Sequence, residues 1–213
     1  FRETRGGSML RVLIIVLTAA LFAAVFFLVP PAEGLGDYVR LVFFHVPAAW
    51  VSVLAFLLSA WWALRFLRCR KERFDALSAR SAKLGFFFVI FATATGALFS
   101  RLSWGAWWNW DPRQTTIFVL ILIYGAYLTL RSAVPENRGR ALVSAVYSLF
   151  SFLTVPFLVF LLPRLYFSLH PEPLLNSGAH VAMEPLMLGV LALGLVDATL
   201  LYFALLFRSV KED

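Results

Sequence analysis

Six long apolar stretches make up most of this 213-residue chain and constrain its fold more than any other feature. They cover about residues 10–29, 41–64, 84–100, 115–131, 141–162 and 183–207. A helix of roughly 20 apolar residues is long enough to cross the hydrocarbon core of a bilayer. Charged residues make up only 15% of the chain, whereas a soluble domain carries about 25%. The sequence therefore predicts an all-α integral membrane protein, a bundle of six transmembrane helices that forms one domain over residues 1–213.

The distribution of basic residues predicts how this bundle is oriented. The net charge is +7, and 15 of the 19 basic residues lie at the two termini or on alternate connections. The remaining connections, together with the span ends beside them, carry Arg40, Arg101, Arg113 and Arg164. Lysine and arginine accumulate on the cytoplasmic side of membrane proteins. We therefore expect both termini in the cytoplasm, and we interpret the basic charge as a topology signal rather than a nucleic-acid surface.

The first stretch is basic at its start and then apolar, as a signal peptide is. Its apolar part is longer than a usual signal core and ends at Pro30 and Pro31, which stop a helix. We expect an uncleaved first helix. The sequence begins at Phe1, so Met9 is a candidate start, and residues 1–8 are then either a non-native remnant or a cytoplasmic tail.

The short connection at residues 104–111 reads Trp-Gly-Ala-Trp-Trp-Asn-Trp-Asp and holds four of the seven tryptophans. In a helix, Trp104, Trp107 and Trp108 would share one face, so we expect a short amphipathic helix along the outer surface. Asp111 stands before a proline and is expected to cap the fourth span. An aromatic belt at the lipid interface is the alternative interpretation. So dense a cluster favours a large, flat, apolar ligand that indoles can stack on and hydrogen-bond.

Three histidines could supply metal ligands at the same membrane face. His45 begins the second span, and His170 and His180 lie between the fifth and sixth spans. A histidine in a transmembrane segment is functional by default, and neutral imidazole is a common axial ligand of haem iron. The residue chemistry alone leaves His170 and His180 as alternatives for the second ligand. Cys69 is the lone cysteine, so the chain has no Cys-x-x-Cys-His motif, and we expect non-covalent haem b rather than covalent haem.

Several motifs resemble those of the haem-handling membrane proteins of cytochrome c biogenesis. Residues 104–111 are similar to the tryptophan-rich signature of that superfamily. Residues 43–50 (Phe-Phe-His-Val-Pro-Ala-Ala-Trp), 111–115 (Asp-Pro-Arg-Gln-Thr) and 168–171 (Ser-Leu-His-Pro) narrow the resemblance to the haem exporter C, or CcmC-type, family. The length of six spans also fits, and the resemblance covers nearly the whole chain.

This resemblance implies a site and a function. It implies that His45 and His170 are the axial pair, because the Leu-His-Pro context favours His170 over His180. It also implies that the tryptophan segment covers one edge of the haem, through Trp104, Trp107, Trp108, Trp110 and Asp111. Haem would be held at the periplasmic face of the bacterial cytoplasmic membrane and passed to a periplasmic haem chaperone.

The partners implied by the resemblance are an ATP-binding-cassette ATPase, a second membrane subunit and a small membrane peptide. The chain has no phosphate-binding glycine loop, so we expect a haem-transfer subunit rather than an enzyme. Haem carries two propionates, and arginine makes strong planar hydrogen bonds to carboxylates. Arg101 and Arg113 flank the tryptophan segment and are the expected propionate partners, with Arg40 a weaker candidate; ordinary snorkelling of these arginines is the alternative.

Two other functions are compatible with haem binding. A cytochrome c haem synthase belongs to the same superfamily, but such proteins are larger and carry additional histidines and an extracytoplasmic domain. An electron-transfer cytochrome b subunit would usually need histidine pairs on facing helices for a second haem. Asp197 lies inside the sixth span, where a carboxylate is costly and usually paired, and we expect it to have a structural or interface role.

Overall fold

The computed structural model describes residues 5–135, 138–170 and 183–208, which contain no β-strand. Their helices are α1 (Arg5–Ala23), α2 (Val42–Cys69), α3 (Glu72–Trp104), α4 (Pro112–Ala133), α5 (Arg138–Pro156), α6 (Leu162–Leu165) and α7 (Pro185–Phe207). Six helical segments are long and apolar enough to cross a membrane: Gly7–Leu28, Asp37–Cys69, Glu72–Trp104, Pro112–Ala133, Gly139–Leu165 and Pro185–Phe207. The predicted six-helix membrane fold is confirmed, and the spans are longer than the apolar stretches.

The bundle has two ends with different chemistry. We call the end formed by residues 105–111 the tryptophan face and the opposite end, at residues 70–71 and 134–135, the basic face. At the basic face, α2 ends where Arg70 adopts a left-handed conformation, and α3 begins two residues later. The basic loop expected between the second and third spans is therefore almost entirely helical.

The interior of the bundle is joined by small and polar side chains. Helix α2 is central and packs on α3, α5 and α7. Hydroxyl groups bridge these helices, because Ser59 Oγ lies 2.9 Å from Ser148 Oγ and Ser81 Oγ lies 2.6 Å from the Tyr202 hydroxyl. Interhelical hydrogen bonds and close approach of small residues are how helices associate in lipid.

Two buried carboxylates also connect helices. The Arg131 Nη1 atom donates to Asp75 Oδ1 over 2.8 Å and ties α4 to α3 at the basic face. The Thr18 hydroxyl donates to Asp197 Oδ2 over 2.9 Å and ties α1 to α7. Asp197 thus has the helix-packing contact expected of an intramembrane carboxylate, with Thr18 as its partner rather than the neighbouring Thr199.

The fifth span is interrupted where its sequence contains Pro156. Proline cannot donate the backbone hydrogen bond that continues a regular helix. Helix α5 ends at Pro156, and a π turn over Phe157–Leu161 links it to the short α6. This π turn packs on α4 and places Val159 and Phe160 in the half of the bundle that contains the tryptophan face.

The expected short helix around Trp104, Trp107 and Trp108 is wrong. Helix α3 continues to Trp104, and Gly105 ends it with a φ of +81°, a left-handed conformation that glycine adopts without strain. Residues 105–111 are not helical, and Trp110 has a φ of +55°, which is unusual for a bulky side chain. The segment is therefore an irregular connection and not a helical face of indoles.

Candidate functional site

A cavity of about 420 Å³ lies near the tryptophan face, between α2, α3, α4 and residues 159–164. Both His45 and His170 line this cavity, although 124 residues separate them in the sequence. Its walls are mainly apolar, from Val46, Ala49, Trp50, Val53, Ala92, Ala97, Ile117, Val159, Phe160 and Pro163. Pockets of a few hundred cubic ångströms with apolar walls and few polar groups are typical of small-molecule sites.

Helix α3 binds one ring nitrogen of His45 and leaves the other available for a ligand. Its Nδ1 lies 2.9 Å from the backbone oxygen of Ala92. A carbonyl oxygen only accepts, so Nδ1 carries the proton and Nε2 keeps its lone pair. Gly96 makes room for the ring, because a Cβ there would lie 3.0 Å from His45 Cε1. Gly96 is therefore the residue of α3 that accommodates the imidazole.

His170 is held in a similar way by the tryptophan segment. Its Nδ1 lies 3.1 Å from Asp111 Oδ1, so Nδ1 donates to the carboxylate and Nε2 stays unprotonated. Trp104 packs edge-to-face on the imidazole, with ring centroids 5.1 Å apart. Burial lowers the pKa of His170, and Arg113 and His45 lower it further, against the opposing effect of Asp111. The ring is therefore neutral at neutral pH. His180, the alternative second ligand, lies outside the described residues.

Asp111 is the residue around which this end of the site is built. It is only 4% exposed and accepts hydrogen bonds from the backbone N–H groups of Arg113 (2.9 Å) and Leu169 (2.7 Å). The Ser168 hydroxyl donates to it as well, over 2.9 Å. Burial raises the pKa of the Asp111 carboxyl, but these hydrogen bonds outweigh it and hold the pKa below its usual value. Asp111 therefore remains ionised.

The predicted helix cap at Asp111 is confirmed, but its contact with His170 is not apparent in the sequence. The two residues are 59 positions apart, and no spacing pattern connects a carboxylate to a ligand at that distance. A ligating histidine commonly donates its second ring nitrogen to a carboxylate or a backbone carbonyl, which fixes its orientation. His45 and His170 show these two arrangements.

The arginines proposed for anionic groups separate into two sets. Arg113 lines the cavity, and its Nε is buried with no hydrogen-bond partner in the described part of the chain. Arg101 does not line it and donates instead to the backbone oxygen of Gly105. Arg40 is paired with Asp37 at 3.2 Å. Arg164 lines the cavity and was not singled out by sequence, although it is one of the four cations outside the basic regions.

The four clustered tryptophans have different environments. Trp104 contacts His170, and Trp108 lines the cavity with a buried Nε1 that has no partner among the residues described. Trp107 and Trp110 are 59% and 70% exposed. The predicted group of site tryptophans thus includes one that lines the cavity, one that supports a histidine and two that face outward.

Three polar residues that the sequence did not single out hold the tryptophan segment in place. The Ser100 hydroxyl donates to the Ala106 backbone oxygen over 2.7 Å and accepts from Asn109 Nδ2 over 2.8 Å. The Asn109 backbone N–H donates to Gln114 Oε1 over 2.8 Å. The segment is therefore bonded to both α3 and α4, which fixes Trp108 and Asp111 relative to the cavity.

The donor groups of the cavity suit one kind of ligand. Two imidazole Nε2 atoms with free lone pairs can bind a metal. The unpartnered donors on Arg113 and Trp108 require acceptors, and the apolar walls require an apolar body. A metal-containing macrocycle with acidic substituents has all three properties, and haem is such a ligand.

Comparison with known proteins agrees with this chemistry. The sequence profile of the family described as Heme exporter protein C matches residues 4–213. The chain belongs to the Heme exporter protein C family. With six segments among its described residues that are long and apolar enough to cross a membrane, this family member is a multi-pass membrane protein.

Individual relatives of this family member are moderately similar to it. The Heme exporter protein C of Paracoccus denitrificans is 34% identical over 62% of the chain, and the alignment spans 57% of that relative. The protein of the same name from Bradyrhizobium diazoefficiens is 27% identical over 94% of the chain and 75% of its own length. A cytochrome c biogenesis protein CcsA of Prochlorococcus marinus is 37% identical over 38% of the chain and 26% of its own length. The likeness to CcsA is thus restricted to a part of both proteins.

Proposed function

We propose that the cavity binds one non-covalent haem b, with the iron between His45 and His170. The observation that carries this proposal is the presence of the two imidazoles in one cavity. In each ring, Nδ1 donates a hydrogen bond to the protein and Nε2 is unprotonated. Iron with two neutral imidazole ligands is six-coordinate, which leaves no open position for water or oxygen. Such a site does not activate oxygen or water at the iron, which is compatible with a haem-transfer role.

Arg113 and Arg164 are the residues that we propose for the propionates. Both line the cavity, near the start of α4 and the end of α6 respectively, which is the end towards the tryptophan face. The buried Nε of Arg113 supports this assignment, because a buried donor without an acceptor is costly. Trp108 would pack against the porphyrin, while Trp104 keeps the His170 ring in position.

We further propose that this protein presents haem to a periplasmic chaperone as a subunit of an ATP-driven complex. The concentration of 15 of the 19 basic residues in the terminal and alternate connecting regions supports a cytoplasmic basic face and a periplasmic tryptophan face. The exposed Trp107 and Trp110 then face the periplasm, where a partner can reach them. The ATPase, a second membrane subunit and a small membrane peptide are the remaining proposed partners, and this chain would not itself catalyse a reaction.

Haem titration of the purified protein tests this function. We expect one haem to bind per chain with the absorption and EPR spectra of low-spin iron with two histidine ligands. Addition of the apo-chaperone together with the ATPase complex and ATP should move the haem to the chaperone. A high-spin spectrum at saturation would contradict the axial pair, and haem that stays on this chain under those conditions would contradict the delivery role.

The arginine assignment predicts unequal effects of two otherwise similar substitutions. Arg113→Gln should weaken haem binding by about tenfold to a hundredfold, because hydrogen bonds to charged groups contribute roughly 1.5–3 kcal/mol. Arg101→Gln is the matched control and should leave the affinity unchanged, since Arg101 bonds to the end of its own helix. Equilibrium titration of both variants gives the comparison, and equal losses of affinity would remove Arg113 from the proposed site.

A further inference from the structure

In the part of the chain that the structure describes, a layer of densely packed apolar residues lies between the cavity and the basic face. In this layer, the rings of Phe56 and Tyr124 are stacked with centroids 3.5 Å apart, and both residues are fully buried. The same apolar cluster contains Val89, Leu120, Val155 and Leu158. Protein interiors are packed as densely as organic crystals, so a porphyrin could not cross this layer without displacing several helices. Haem cannot reach the cavity from the basic face through the middle of the protein.

One side of the cavity, in contrast, is made of half-exposed aromatic residues. Trp50 on α2 and Phe160 on the π turn both line the cavity, and they are 51% and 49% exposed. Helix α2 packs on α3, α5 and α7, whereas the π turn that follows α5 packs mainly on α4 and α6. Both residues lie within segments long and apolar enough to span a membrane, where side-chain surface on the outside of the bundle contacts lipid. This wall is therefore the thin boundary between the cavity and the bilayer.

A side-chain hydrogen bond holds Trp50 against α7. Its Nε1 donates to Thr199 Oγ1 over 3.3 Å, and that hydroxyl donates in turn to the Leu195 backbone oxygen over 2.6 Å. Side-chain hydrogen bonds between transmembrane helices contribute only about 0.6 kcal/mol on average. The indole can thus leave this position at low cost, while its ring keeps lipid chains out of the cavity when it is in place.

We infer that haem enters and leaves this cavity sideways, between Trp50 and Phe160, and that the hydrogen bond from Trp50 to Thr199 holds this side entrance closed. The inference rests on the proposed function, because haem is the cargo. Haem is suited to this route, since its apolar ring partitions into hydrocarbon and its propionates stay at the interface. A porphyrin that moves sideways in this orientation keeps its propionates at the level of Arg113 and Arg164.

A kinetic experiment separates this side entrance from the binding site itself. Thr199→Val removes the acceptor but keeps the size of the side chain. We expect it to raise both the association and dissociation rates of haem about twofold to tenfold, the range for loss of one neutral hydrogen bond, with an unchanged dissociation constant. The protein is placed in vesicles of phosphatidylethanolamine and phosphatidylglycerol, haem is added, and apomyoglobin serves as the acceptor for release.

The matched control is Thr129→Val, because Thr129 also donates to the backbone four residues earlier but lies on α4, outside the cavity lining. Trp50→Phe keeps an aromatic ring without the donor and should reproduce the faster rates. The double variant should be no faster than either single one, since both remove the same bond. Unchanged rates in Thr199→Val, or rates changed equally in Thr129→Val, would overturn the side entrance. Failure of the wild-type protein to bind haem would instead contradict the proposed function.

Discussion

Haem bound to a His45→Ala variant is expected to become high-spin and five-coordinate and to bind at least about 100-fold more weakly than in the wild-type protein. Loss of a residue that only orients a metal ligand typically costs 10- to 100-fold in affinity, so loss of the ligand itself should cost no less. The other ring nitrogen of His45 is already committed to the Ala92 backbone oxygen. Among the described residues, His170 is the other histidine that lines the cavity, and it is already the opposite ligand. The described structure therefore offers no histidine that could replace His45. Haem titration followed by absorption and EPR spectroscopy measures both effects.

Rescue with free imidazole distinguishes ligand loss from misfolding in this variant. Removal of the His45 ring leaves space beside Gly96, which lies close to that ring. Added imidazole should therefore restore the low-spin spectrum. His170→Ala should behave in the same way, whereas His180→Ala should retain the wild-type spectrum. A low-spin spectrum in His45→Ala without imidazole would refute the axial pair, and loss of the spectrum in His180→Ala would transfer the second ligand to His180.

The parts of the fold that the sequence predicts are those set by local composition. Six spans follow from hydropathy alone, and their number is confirmed. The cap at Asp111 follows from the properties of a single residue, and it is present. The amphipathic helix around Trp107 is wrong because periodicity ignores Gly105, which ends α3 before the pattern can continue. A single glycine conformation therefore overrides a favourable spacing of indoles.

The candidate site is less predictable, because its contacts join distant parts of the chain. Residue chemistry identifies His45 and His170 as candidate ligands, but only the resemblance to a known family separates His170 from His180. The contact of His170 with Asp111 depends on how the end of α6 meets the tryptophan segment, which no local pattern encodes. Flanking position suggested Arg101 and Arg113 equally, whereas helix geometry brings Arg113 and Arg164 to the cavity.

An Asp111→Asn variant is expected to lose both stability and haem affinity. The two carboxylate oxygens accept from four donors, so an amide NH₂ group in either position would face a donor and leave it unpaired. Loss of the helix cap and of buried charged hydrogen bonds should lower the free energy of unfolding by about 2–4 kcal/mol. Haem affinity should fall by about 10- to 100-fold, because the His170 ring is no longer oriented. Thermal unfolding of the haem-free protein and haem titration measure the two effects separately.

The reduction potential of the bound haem shows whether Asp111 acts through His170 or only through the fold. A carboxylate that accepts the Nδ1 proton makes the imidazole a stronger donor to iron and favours the ferric state. The reduction potential should therefore rise in Asp111→Asn. General loss of packing, in contrast, predicts neither a rise nor a fall of the potential. Asp37→Asn is the matched control, because Asp37 is exposed and forms a surface ion pair with Arg40, and it should cost less than about 1 kcal/mol. If Asp111→Asn is destabilised but its haem keeps the wild-type potential, Asp111 acts as a helix cap and does not tune the His170 ligand.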